Sequence, residues 1–133
     1  MSSIVVDTNM FLDFFDGREE FYATAEAILR NKKHDVALTA NTITDIYYLL
    51  SKERSDTEVR SIVKKIIDAY RVLDVNGDDC DYALKSEIKD FEDAVMDECT
   101  YRHSIEYIIT RDKKFADSRT KSNVVLAKNF VDK

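Results

Sequence analysis

Short apolar, β-branched runs alternate along the chain with longer stretches whose apolar positions recur every three or four residues. Residues 3–6 (Ser-Ile-Val-Val) form the first run, which stops at Asp7. Apolar residues at 10, 11, 14 and 15 then predict a helix from Asn9 to Phe15, broken by Asp16-Gly17. A second helix over 19–32 carries Phe21, Ala25, Ile28 and Leu29 at helical spacing. It ends in Arg30-Asn31-Lys32-Lys33, cations that suit the negative end of a helix dipole. Val36-Ala37-Leu38-Thr39 is the second run, followed by a helix from Asn41 or Thr42 with Ile43, Ile46, Tyr47 and Leu50 on one face. Ser55-Asp56 caps the next helix, where Val59, Ile62, Val63, Ile66 and Ile67 make a strong amphipathic stripe.

Val72-Leu73-Asp74-Val75 is the third run. Asn76-Gly77-Asp78-Asp79 turns into a helix carrying Cys80, Ala83, Leu84 and Ile88. Asp90 opens another helix that reaches about His103, with Ala94, Val95, Met96 and Cys99 inward. Tyr107-Ile108-Ile109 is the fourth run, Val124-Val125-Leu126 a weak fifth, and the tail forms one last helical turn. Alternation of this kind predicts an α/β fold: a mostly parallel sheet of four to five strands with helices on both faces. Right-handed crossovers leave few topologies for it.

A chain of 133 residues is expected to form one domain, 1–133, without linker or repeat. Proline is absent and glycine occurs only at 17 and 77, which argues against a turn-rich β-sandwich. Acids outnumber bases by 26 to 20, whereas a protein that attracts nucleic acid by general charge is normally basic. Either the acids gather at a site that recruits cations, or nucleic acid is not the ligand. Cys80 and Cys99 are too few for a disulfide framework and read as core thiols in a reducing, cytoplasmic setting. No basic leader or long apolar stretch predicts a signal peptide or a membrane span.

Four acids sit where runs end or helices begin. Asp7 ends the first run, Asp45 lies just inside the helix after the second, Asp93 lies in the first turn of the helix opened by Asp90, and Asp112 follows the fourth run. Open α/β sheets bind ligands beyond the carboxyl ends of their strands, so the alternation alone aims all four at one rim. Taken singly, each acid also reads as a helix cap or a turn residue. Gathered, they call for a cation: two like charges about 4 Å apart repel by about 4 kcal/mol at an effective dielectric near 20. Carboxylates are hard oxygen donors that suit Mg²⁺ or Mn²⁺. Such a site favours phosphodiester hydrolysis, because the metal lowers the pKa of bound water and stabilises charge on phosphate.

Val5-Val6-Asp7-Thr8-Asn9, Asp90-Phe91-Glu92-Asp93-Ala94 and Ile108-Ile109-Thr110-Arg111-Asp112-Lys113-Lys114-Phe115 together resemble the PIN domain family. The resemblance spans essentially the whole chain in length and order. It implies a three-layer α/β/α sandwich and an endoribonuclease that uses acidic residues with Mg²⁺ or Mn²⁺. Carried over by motif, it makes Asp7, Asp93 and Asp112 metal ligands and Thr8, Asn9 and Thr110 their orienting neighbours. The acid after the second run is usually glutamate in that family; here Asp45 fills the catalytic place with one methylene fewer. Many small members resemble the toxin half of toxin–antitoxin pairs, which implies a cognate antitoxin that blocks the site.

Arg111, Lys113 and Lys114 flank Asp112 and are candidate RNA phosphate contacts. Lys52 and Arg54 are weaker candidates for the same edge. Asp13 reads as an exposed acid, and Tyr47, Tyr48 and Phe91 as core aromatics rather than base-stacking ones. His34 and His103 have no metal-ligand companion at short spacing and read as structural. The 59–67 helix is a candidate homodimer or partner surface beside its ordinary packing role. A haloacid-dehalogenase-type phosphatase needs a second Asp where Asn9 stands, a receiver domain needs an acidic pair after the first run, and phosphate-loop fingerprints are missing. The rival from another class is a PIN-like scaffold with a degraded site, binding RNA or protein without cutting.

Overall fold

The computed structural model describes residues 2–131. Within these residues five strands, β1 (Ser2–Val6), β2 (His34–Thr39), β3 (Arg71–Leu73), β4 (Tyr107–Thr110) and β5 (Asn123–Leu126), form one sheet in the order β3-β2-β1-β4-β5. Every pairing is parallel. Among the described residues eight helices connect and follow them: α1 (Thr8–Phe15), α2 (Glu19–Leu29), α3 (Ala40–Leu50), α4 (Asp56–Ala69), α5 (Gly77–Ala83), α6 (Phe91–Arg102), α7 (Lys113–Ala116) and α8 (Ala127–Phe130).

Alternation along the central strands builds a core on each face of the sheet. Ile4 and Val6 of β1 face one way, with Leu38 and Ile109, into a core shared with α1, α2, α3 and α4. Val5 faces the other way, with Ala37 and Ile108, into a core shared with α5 and α6. Strands β1 and β4 are thus covered on both sides, which is why their sequences read as unbroken apolar runs. Helices on both faces make the three-layer α/β/α sandwich.

The chain steps outward from β1 to β2 and β3, then crosses back to place β4 on the other side of β1. The β1–β4 crevice is therefore the switch point of the sheet, where open α/β folds take ligands. In the ladder Val6 lies opposite Ile109, and the Asp7 amide continues it by donating to the Ile109 carbonyl at 2.9 Å.

Helix α6 is buried almost all round, from Ala94 to Thr100. Its buried Asp97 accepts the backbone N–H groups of Lys121 and Ser122, each at 2.9 Å, and its Glu98 pairs with the Lys121 ammonium at 2.8 Å. The loop before β5 thus roofs α6 and fixes where its first turn points. Among the described residues no helix is long and apolar enough to cross a membrane.

Several expectations need correction. Helix α2 stops at Leu29, so Lys32 and Lys33 lie in the turn beyond it. Leu84 follows the last turn of α5 and is 73% exposed, and Cys80 is exposed too because α5 lies at the surface over α6. Tyr48 and Phe91 are 64% and 48% exposed, not core aromatics. Arg54 pairs with Asp16 at the end of α1.

Candidate metal centre

Asp7 leaves the end of β1 and caps α1. One carboxylate oxygen, Oδ1, accepts the Thr8 N–H at 2.7 Å; the other, Oδ2, accepts the Thr110 hydroxyl at 2.7 Å. Thr110 Oγ1 in turn accepts the Asp112 N–H at 3.0 Å. A single buried hydroxyl therefore ties the ends of β1 and β4 together and sets the loop that carries Asp112. Asp112 caps α7, its Oδ1 accepting the Lys114 N–H at 2.9 Å.

From the other side of the crevice comes α6. Asp90 caps it by accepting the Asp93 N–H at 3.1 Å, which presents Glu92 and Asp93 in its first turn. Asn41, at the start of α3, donates to the Glu92 carbonyl at 3.2 Å and joins the α3 and α6 ends.

These acids sense one another. Burial pushes the Asp93 carboxyl up to about 8, and the charges of Asp7, Asp90, Asp112 and Glu92 add to it. Burial also raises Asp7, against the lowering effect of its hydrogen bonds from Thr110 and Thr8, with Asp112 and Asp45 repelling it further. Glu92 is pushed up to about 7 by burial, then by the charges of Asp45 and Asp90 and by a side-chain hydrogen bond with Asp45. The electrostatics thus join Asp7, Asp45, Asp90, Glu92, Asp93 and Asp112 into one group.

Among the ion pairs of the described residues, none involves any of these six acids. The donor set is all hard oxygen and fits a divalent ion in kind. Among the described residues no three acid, histidine or cysteine side chains close into a ready-made cage. Mg²⁺ needs no such cage, because it keeps several of its waters and carboxylates can hold it through them.

A family model described as PIN domain matches residues 3–114. The chain belongs to the PIN domain family. Ribonuclease VapC1 of Aquifex aeolicus (strain VF5) is 25% identical over 120 residues, covering 84% of this chain and 83% of that protein. Among solved structures, Mycobacterium tuberculosis VapC20, a sarcin–ricin loop cleaving toxin, superposes with a TM-score of 0.73 at 17% identity over 85% of this chain and 92% of that one. A toxin–antitoxin complex from Klebsiella pneumoniae superposes with a TM-score of 0.69 at 22% identity, over 93% of this chain and 97% of that one. At these identities the two structures speak for the fold.

Within this PIN domain the sequence-derived site residues divide into two sets. Asp7, Asp45, Asp93 and Asp112 share the acidic group, and Thr110 and the Thr8 amide hold Asp7. Asp45 sits in the second turn of α3, since Thr39 is the N-cap, so it is not a capping acid. Asn9 turns instead to Arg18, accepting its Nη1 at 3.4 Å. Arg111 is committed elsewhere: its guanidinium donates to both oxygens of Asp13, at 2.8 and 3.2 Å, and lies 3.9 Å over the Phe21 ring. Asp13, expected at the surface, is fully buried because this pair neutralises it. Lys113 reaches Asp117 at 2.6 Å on the exposed side of α7.

Glu92 and Asn41 are additions. Glu92 stood inside the Asp90-to-Ala94 motif, but only its partner across the crevice shows that it faces Asp45. Asn41 had no local signal, because its contact lies 51 residues away.

Proposed function

We propose that this PIN domain is a metal-dependent endoribonuclease that hydrolyses RNA phosphodiester bonds and acts as the toxin of a toxin–antitoxin pair. The observation that carries this reading is the uncompensated acidic group at the sheet's switch point. Its kinship with a protein named ribonuclease VapC1 agrees with it, as do structural neighbours that are toxins or toxin–antitoxin complexes. A cognate antitoxin is the partner this kinship suggests.

Asp7, Asp93 and Asp112 would hold Mg²⁺ or Mn²⁺, and the ion would supply charge for the phosphate oxygens and acidify the attacking water. The chain's own contribution is placement. Thr110 and the Thr8 amide lock the Asp7 carboxylate in one orientation, which spares the site that ordering on substrate binding. The Asp90 cap and the roofed body of α6 fix the backbone from which Asp93 projects.

Glu92 stands against Asp45 at the same rim, its carboxyl raised by burial and by the Asp45 charge before any metal binds. It also brings to the rim the longer carboxylate that Asp45 lacks. That arrangement favours an active site over a degraded scaffold.

The test is cleavage of a labelled RNA with Mg²⁺ or Mn²⁺ present. The wild-type chain cuts, chelation stops it, and Asp7→Asn and Asp93→Asn abolish it while circular dichroism stays unchanged. Cleavage persisting in both variants contradicts the assignment, and RNA binding without cleavage in the wild type establishes the scaffold.

A further inference from the structure

An RNA strand that enters this site must carry its flanking phosphates past an acidic group on a protein of net charge −6. Local cations have to offset that repulsion. Lys113, next to Asp112 in the chain, and Lys128, at the start of α8, line one cleft of ≈ 260 Å³, which Arg111 also lines with its charge already matched by Asp13. Met10, Thr24 and Leu126 supply uncharged walls between α1, α2 and the end of β5. Among the described lining residues the one acid, Asp13, is already neutralised by Arg111.

We propose that this cleft is a nucleoside subsite for single-stranded RNA, taking the base of a residue next to the scissile phosphate. The proposal rests on the ribonuclease reading. An apolar slot with cations at its rim matches a nucleotide: the base leaves water while the sugar–phosphate stays at the charged edge. Its volume lies below the roughly 300–1,000 Å³ of pockets for drug-sized ligands, so it admits one nucleoside and neither a duplex nor a helix. The Lys113–Asp117 pair is exposed and worth little, so a phosphate can take its place. Asp112 lies in the chain between two lining residues, so the cleft adjoins the loop that carries one candidate metal ligand.

The experiment measures binding rather than cutting. The probe is a single-stranded RNA of about ten nucleotides, 2′-O-methylated throughout so that it is not cleaved, titrated at several salt concentrations. Lys128→Gln removes one rim charge; it is expected to weaken binding roughly three- to tenfold and to flatten the slope of log K against log salt by about 0.7. Thr24→Phe fills the slot; it is expected to weaken binding by about as much and leave that slope unchanged. Thr24 is half-buried and Lys128 exposed, so both variants are expected to melt like the wild type.

Wild-type affinity retained in both variants overturns the subsite while leaving the ribonuclease intact, and is also the outcome if the cleft serves a protein segment. A wild-type chain that binds no single-stranded RNA overturns the ribonuclease reading itself.

Discussion

Thr110 donates its hydroxyl to Asp7 Oδ2 at 2.7 Å, joining residues 103 positions apart in the chain. Thr110 Oγ1 also accepts the Asp112 amide N–H, so one side chain orients two candidate ligands. Thr110→Val keeps the shape and removes both bonds. It is expected to cost about 1–3 kcal/mol of stability and to weaken Mn²⁺ binding about 10- to 100-fold in a calorimetric titration. Thr110→Ser is expected to retain most of the affinity.

The raised carboxyls make metal-free stability depend on pH in a definite direction. Asp93 at about 8 and Glu92 at about 7 stand above their ordinary 3.8 and 4.5, so the folded chain keeps protons that the unfolded chain has released. Their contribution to stability is full below the unfolded values and is lost as pH rises through about 7 to 8. Thermal melts of the metal-free protein are expected to fall across that range. Asp93→Asn lacks its share of the loss, so its melting temperature is expected to gain on the wild type as pH rises. Added Mn²⁺ is expected to restore the wild type at the alkaline end and to do much less for the variant.

Asp13 and Arg111 are a pair to be kept or replaced together. The carboxylate is fully buried and takes both arms of the guanidinium. Asp13→Asn is expected to destabilise the fold by roughly 3–5 kcal/mol in denaturant unfolding, because it leaves a half-buried cation without its counter-charge. The double change Asp13→Leu with Arg111→Met is expected to recover a large part of that loss. A double variant no better than the single one contradicts the pairing.

Glu92 owes part of its raised pKa to Asp45. Carboxyl carbon NMR is expected to follow Glu92 titrating near 7 in the wild type and distinctly lower in Asp45→Asn. An unchanged titration means that the two carboxyls do not share a proton.

Much of this molecule was legible in its residues. The unbroken runs of β1 and β4 marked central parallel strands, and Asp7 and Asp112 at their ends marked the rim. Asp90 and Asp93 stood in the spacing of a cap and its first turn. What local pattern could not carry was any contact made far along the chain. Asp13 reads as a surface acid until Arg111, 98 residues later, covers it. Asp97 and Glu98 of α6 are buried by the loop at 121–122, more than 20 residues further along the chain. Helix α7 has four residues, too few for any periodicity to show. Phe91 followed helical spacing but occupies the first position of α6, where the helix has not yet reached the core.

The most direct test of the metal centre uses Mn²⁺ as a paramagnetic probe in amide NMR of the intact chain. At substoichiometric Mn²⁺ the signals of Thr8, Asp93, Ala94 and Asp112 are expected to broaden first, while those of the surface acids Asp35 and Asp74 persist. Broadening spread evenly over the surface acids, with the β1–β4 crevice untouched, contradicts a metal site at Asp7, Asp93 and Asp112.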